Sequence, residues 1–100
     1  MHPEYDRATR AMRIKEGYKV RNIAGENIVV CQGTLNMDFT KVIYLNKTSV
    51  ELWNQFEGKE FTLEDVVNFL CSQYGIISER ATSDGQKWID ALTGCGILSA

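Results

Sequence analysis

The segment KVIYLNKTSVELWNQFEG, residues 41–58, changes from a short apolar run to a helical pattern without a linker. Residues 41–45 predict a strand. Thr48, with Glu51 three residues later, has the spacing of a capping box, which begins a helix. Apolar side chains then recur at helical spacing, at Val50, Trp53 and Phe56. We therefore expect strands before this junction and helices after it.

Two further strands are predicted upstream of the junction. Residues 18–24, YKVRNIA, alternate mostly with period two, which is typical of a half-buried strand. The GEN sequence at 25–27 favours a hairpin turn, and the β-branched run from Ile28 predicts the next strand. Three short strands with close connections indicate an antiparallel meander.

Two further helices are predicted downstream. One begins at Thr62, which forms a capping box with Asp65, and ends at Gly75. The other begins near Ser78 and carries an apolar stripe in which Gly85 stands mid-helix. A three-stranded sheet needs helices on one face, so the sequence predicts an α+β, winged-helix-like domain of order β-β-β-α-α-α over residues 18–100, preceded by a flexible tail, residues 1–17.

Charge and hydropathy exclude several classes of protein. The net charge is −2 and the sequence pI about 5.3, so there is no overall attraction to phosphate or to an anionic membrane. Residues 48–77 carry five acidic residues and one lysine, which disfavours a nucleic-acid-binding helix. No apolar run is long enough to span a membrane, and the first residues lack the apolar region of a secretory signal. We expect a cytoplasmic protein.

The cysteines and the histidine indicate neither a metal site nor a catalytic site. Cys31, Cys71 and Cys95 are far apart in sequence and lie among apolar neighbours, so we expect buried, reduced thiols. His2 falls in the predicted tail. No phosphate-binding loop, dinucleotide fingerprint or nucleophile motif is present. The sequence therefore predicts a protein that is not an enzyme and needs no cofactor.

Peptide binding at an edge of the sheet is the remaining candidate function. The strand at 41–45 has one charge and no proline, so as an edge strand it would be poorly protected against pairing with another chain. An extended peptide could add there as a further strand, or a second copy could pair with it to make a dimer. Alternation leaves two possibilities open, since either Val42 and Tyr44 or Ile43 and Leu45 face the core.

Four stretches resemble, in order and spacing, the PqqD-like family, small proteins related to the pyrroloquinoline-quinone (PQQ) biosynthesis chaperone. Within them, the most specific features are the Leu45-Asn46 pair followed by Thr48 and Trp53, and Asp84 followed by Trp88. The resemblance covers residues 18–98, in the stretches YKVRNIAGENIVV, IYLNKTSVELWNQFEG, FTLEDVVNFLCSQYGI and ATSDGQKWIDALTGCGIL.

The resemblance implies a non-catalytic recognition domain for the leader of a ribosomally made, modified peptide. In the family the leader lies between the third strand and the last helix, and the partner enzyme is commonly a radical S-adenosylmethionine (SAM) protein. The corresponding residues here are Lys41, Val42, Ile43, Tyr44, Leu45, Asp84, Lys87, Trp88 and Ala91. Gly85 departs from the aliphatic residue usual in the family. The alternative is a winged helix that binds nucleic acid or serves as a general interaction domain.

Overall fold

A computed structural model describes residues 10–30 and 42–99. Within these ranges it contains five strands and three helices. The strands are β1 (Arg13–Ile14), β2 (Arg21–Ile23), β3 (Glu26–Val30), β4 (Val42–Leu45) and β5 (Leu98–Ser99), and the helices are α1 (Lys47–Phe56), α2 (Leu63–Tyr74) and α3 (Ser78–Gly94). None of these helices is long and apolar enough to cross a membrane.

The predicted three-stranded antiparallel sheet is present, with the strand order β2-β3-β4. Ala24 and Gly25 connect β2 to β3 and have φ angles of +53° and +85°. Positive φ at both central residues is the requirement of the two-residue turn that matches strand twist. The hairpin thus turns one residue before the predicted GEN segment. All three strands of this sheet precede the three helices, so the α+β prediction is confirmed.

The first helix begins two residues earlier than its sequence pattern indicates. Asn46 is the N-cap of α1, and its side-chain oxygen accepts a hydrogen bond from the backbone N–H of Ser49 at 2.8 Å. The predicted capping box of Thr48 and Glu51 is therefore wrong, since both residues already lie inside the helix. The Glu51 carboxylate instead accepts a hydrogen bond from the Tyr74 hydroxyl at the end of α2.

The second helix has the predicted termini. Thr62 Oγ1 accepts from the N–H of Asp65 at 3.1 Å, and the Asp65 carboxylate accepts from the N–H of Thr62 at 3.0 Å. Gly75 ends α2 in the left-handed region, with φ +65°. These reciprocal bonds fix where α2 starts and hence where its apolar face meets α3.

One hydrophobic core joins the inner face of the sheet to the three helices. Val29 and Leu45 enter it from the sheet, and Trp53, Leu70 and Leu92 from the helices; all five are at most 7 % exposed. Gly85 lies where α3 crosses α2: a Cβ placed on it would be 3.0 Å from Val66 Cγ1. The glycine therefore permits close packing of the two helices.

A second, two-stranded sheet was not predicted. β1 pairs antiparallel with β5, and Ile14, which is 3 % exposed, belongs to the core. Met12 forms backbone hydrogen bonds in both directions with Phe61, at 2.8 and 2.9 Å. Secondary structure therefore begins before Tyr18, inside the segment that the sequence assigned to the tail. Residues 1–9 of that segment lie outside the described residues.

The cysteines differ from expectation in one place. Cys71 is a half-buried free thiol, as predicted. Cys95 takes part in a disulfide bond, so the prediction of a reduced thiol is wrong for it. Cys31 lies outside the described residues.

Candidate peptide-binding edge

Strand β4 lies at the edge of the three-stranded sheet. It pairs with β3 through four residue pairs, from Asn27 opposite Leu45 to Val30 opposite Val42. Across residues 10–30 and 42–99, no strand pairs with the other side of β4. Because an edge strand pairs on one side only, half of its backbone N–H and C=O groups point away from the sheet.

The structure decides which side chains of β4 face the core. Ile43 is half-buried and packs against the core, and Leu45 is buried within it. Tyr44 is 68 % exposed and, with Val42, faces the opposite side of the sheet. The alternation left open by the sequence is thus resolved in favour of Ile43 and Leu45 as core residues. Lys41 lies outside the described residues.

The outer face of the sheet carries a small apolar surface. The register pairs Ile28 with Tyr44 and Val30 with Val42. Since paired residues share a face, these four side chains form one cluster, which we call the outer patch. Ile28, Val30 and Val42 are half-buried. Ile23 lies on the same face but on β2, the far strand.

Trp88 of α3 is a core residue. It is 4 % exposed, and its ring centroid lies 5.8 Å from that of Phe61. Its indole N–H is buried and has no hydrogen-bond partner in the described part of the chain. Trp88 therefore anchors α3 to the core. Its ring is not exposed as the wall of a groove.

The other three α3 residues singled out by the sequence share one flank of that helix. Asp84, Lys87 and Ala91 recur at three- and four-residue spacing, which places them side by side. Asp84 is half-buried and forms an ion pair with Arg80, at 3.7 Å between Arg80 Nε and Asp84 Oδ2, and not with Lys87 as sequence spacing allowed. Lys87 and Ala91 are exposed.

The strand and this flank remain separate elements. Among the described residues, β4 packs mainly on β3 and α1, whereas α3 packs mainly on α2 and β5. Extensive direct packing between β4 and α3 is thus absent from the described ranges. The contacts of the described residues therefore do not join the edge of β4 and the Asp84 flank into one surface.

A cavity of about 520 Å³ lies on the other flank of α3, where sequence reasoning predicted nothing. Its apolar lining includes Met12, Leu63 and Ile89, and its polar lining includes Arg10 and Asp90. Sequence reasoning missed it because it assigned residues 10–12 to a flexible tail. The pairing of Met12 with Phe61 is what brings that segment against α3.

Two features of the described residues bear on chemistry at the site. These residues include no group of three or more metal-ligating side chains. The pKa of Tyr74 is raised, chiefly by the hydrogen bond that its hydroxyl donates to Glu51 and then by burial and the Glu51 charge, against an opposing effect of Thr48. This hydrogen bond connects α1 to the end of α2.

Together these features define an α+β domain in which a three-stranded sheet with an exposed edge packs on three helices. The chain belongs to the family of the coenzyme PQQ synthesis protein D (PqqD), whose model matches residues 32–98. The match covers β4 and all three helices but not β1, β2 or β3, although the resemblance seen in the sequence began at residue 18. Neither the curated proteins nor the solved structures contain a significant match.

Family membership supports a peptide-binding role associated with PQQ biosynthesis and identifies neither the peptide nor the partner. PqqD proteins are non-catalytic accessory proteins that interact with a peptide and with biosynthetic enzymes.

Proposed function

We propose that this chain binds the leader of a ribosomally made precursor peptide by strand addition at β4 and presents it to a modifying enzyme, such as a radical SAM protein, in the cytoplasm. The observation that carries the proposal is the one-sided pairing of β4. Main-chain hydrogen bonds to an added strand give affinity, and side-chain contacts give selectivity.

The composition of β4 favours this use of its edge. Charged side chains and proline commonly protect an edge strand against pairing with another chain. Residues 42–45 include neither. Side chains of one face alternate with those of the other, so a leader laid against β4 would direct every second residue toward the helices. The flank of Asp84, Lys87 and Ala91 is our proposed second wall, with Trp88 holding the helix in place. Lys41, which lies outside the described residues, is also part of the proposed site.

The charges of the last two helices favour a peptide over a nucleic acid. Within α2 and α3, Arg80 and Lys87 stand against the acidic residues Glu64, Asp65, Glu79, Asp84 and Asp90. A surface that binds phosphates requires the opposite balance. An acidic and a basic side chain side by side on α3 suit a peptide that carries charges of both signs.

The test is backbone amide hydrogen exchange of the full chain with a candidate leader, taken from short precursor genes beside this one. Every second amide of residues 42–45 points away from β3. We expect those amides to exchange quickly in the free protein and to become protected with the leader. Protection confined to β2, or no change in β4 despite saturation, would contradict strand addition.

Modified peptides provide the matched control. N-methylation at every second leader residue removes the N–H groups on one edge of the extended peptide and leaves those on the other edge. The leader methylated on the edge that faces β4 should lose binding, and the leader methylated on the opposite edge should retain it. Equal affinities would show that main-chain pairing does not hold the peptide. Because a second copy would need the same edge, bound leader should also displace any strand-paired dimer, which sedimentation measures.

A further inference from the structure

The outer patch extends to the free edge of the sheet. Two of its members, Tyr44 and Val42, lie on the edge strand β4. Each pairs with a residue of β3 on one side and has no neighbouring strand among the described residues on the other, and Tyr44 is 68 % exposed. A strand added to β4 would place one residue opposite each of them on the outer face. Those two peptide residues are separated by a single residue, whichever direction the peptide runs.

We infer that the peptide bound by this chain carries β-branched or aromatic residues at two positions, i and i+2, which pair with Tyr44 and Val42 on the outer face of the sheet. This inference rests on the proposed strand addition at β4. It assigns part of the peptide selectivity to the face of the sheet that points away from α3.

The physical reason is cross-strand side-chain packing. Directly opposed side chains have their Cβ atoms about 4.5–5.5 Å apart, and aromatic with β-branched pairs are among the favourable combinations. Tyr44 has Ile28 on one side and solvent on the other. An apolar peptide residue would remove the free side of its ring from water, whereas a charged residue would meet no opposite charge on residues 42–45.

Ile23 offers a matched comparison on the same face. It is 54 % exposed but lies on β2, two strands from the free edge. Strands are spaced about 4.8 Å apart, so Ile23 is about 14 Å from an added strand and does not touch its side chains. A general effect of exposed apolar residues would depend on both positions, while pairing with the peptide depends on Tyr44 alone.

The experiment selects a displayed library of random twelve-residue peptides on the full chain, on Tyr44→Thr and on Ile23→Thr. Threonine retains strand propensity in both variants. We expect peptides selected on the unmodified chain and on Ile23→Thr to share an i, i+2 pattern of β-branched or aromatic residues, and Tyr44→Thr to lose the preference at one of the two positions. For a single selected peptide, Tyr44→Thr should weaken binding about two- to five-fold, and Ile23→Thr should leave it unchanged.

The outcomes separate this inference from the proposed function. Peptides that protect β4 amides but show no i, i+2 preference overturn the inference and leave strand addition standing. Equal losses in Tyr44→Thr and Ile23→Thr also overturn it. Peptides that bind without protecting β4 contradict strand addition itself, as does a failure to select any peptide, and the inference falls with it. Circular dichroism of each variant establishes that the fold is retained.

Discussion

Gly85 shows how one missing side chain sets the distance between two helices. A methyl group at this position would meet Val66 Cγ1 at 3.0 Å and Leu63 Cδ1 at 3.4 Å. Alanine improves helix propensity by about 1 kcal/mol, but overpacking a core costs about 1–3 kcal/mol. Because Val66 is fully buried and has a stiff side chain, we expect Gly85→Ala to lower the free energy of unfolding by up to about 2 kcal/mol in urea titration.

Two companion variants identify the cause of that loss. Gly94, in the last turn of α3, has no heavy atom within 4 Å of a built Cβ, so Gly94→Ala should increase stability by a few tenths to about 1 kcal/mol. In a Val66→Ala background, Gly85→Ala should become stabilising because the added methyl group fills vacated space. A stabilising Gly85→Ala in the unmodified chain would show that Val66 moves aside freely.

The Tyr74–Glu51 hydrogen bond predicts a pH dependence of stability. It raises the pKa of Tyr74 above its ordinary value of 10.0, so the folded state holds the phenol proton more tightly than the unfolded state. The stabilisation is therefore fully present below pH 10 and disappears as the pH rises through the folded-state pKa. Glu51→Gln should lower that pKa toward the ordinary value, as followed by NMR of ring-labelled tyrosine.

Glu57→Gln is the control for this titration. Glu57 also belongs to the α1 region, but its carboxylate lies 3.6 Å from Lys19 Nζ and has no hydrogen bond to Tyr74. The Tyr74 resonance should titrate identically in Glu57→Gln and the unmodified chain. An equal shift in both variants would mean that general negative charge, and not the hydrogen bond, raises the pKa.

At the scale of elements, the start of α1 depends on Asn46. Its side chain accepts from the N–H of Ser49, and replacing such a cap by alanine costs about 0.5–2 kcal/mol. We expect Asn46→Ala to lower the melting temperature by about 2–16 °C, using about 4–8 °C per kcal/mol for a domain of this size. Calorimetry measures the shift.

Asn68 provides the comparison, because it is exposed within α2, where alanine is the better helix former. Asn68→Ala should leave the melting temperature unchanged or raise it slightly. If Asn46→Ala behaved in the same way, the cap would contribute nothing and the start of α1 would be fixed by tertiary packing alone.

Sequence patterns predicted the elements better than their exact starts. The capping box of Thr62 and Asp65 was recognisable because the two bonds are local and reciprocal. At α1 two possible N-caps, Asn46 and Thr48, lie within three residues, and Asn46 is the one used, so the helix starts at Lys47. Local spacing cannot decide between them, because packing of Leu52 and Trp53 on the core fixes the rotation of the helix.

The candidate site was predictable only in part, for the same reason. Order and composition indicated that β4 ends the sheet, and the strand order agrees. Which of its faces is buried could not be derived, since Val42, Ile43, Tyr44 and Leu45 are all apolar or aromatic. That choice depends on the pairing of Val29 with Ile43, a contact between residues 14 positions apart.

At the scale of the whole molecule, β1 and β5 join segments that are more than 80 residues apart. Arg13 lies opposite Ser99 and Ile14 opposite Leu98. Strands of two residues carry no periodicity, so the sequence assigned residues 10–17 to a tail. The pairing brings Ile14 into the core, and residues 10–12, just before β1, line the cavity beside α3.

This closure predicts that Ile14 is as important to stability as residues of the central core. Ile14 is 3 % exposed, and truncating such an isoleucine to alanine typically costs about 2–5 kcal/mol. We expect that loss for Ile14→Ala in urea titration of the full chain. Ile77 is 71 % exposed, so Ile77→Ala should change the free energy of unfolding by less than about 0.5 kcal/mol. Similarly small changes at both positions would mean that the β1–β5 pair is not part of the cooperative fold. A loss of stability for Ile14→Ala alone would place the start of the folding unit before Tyr18.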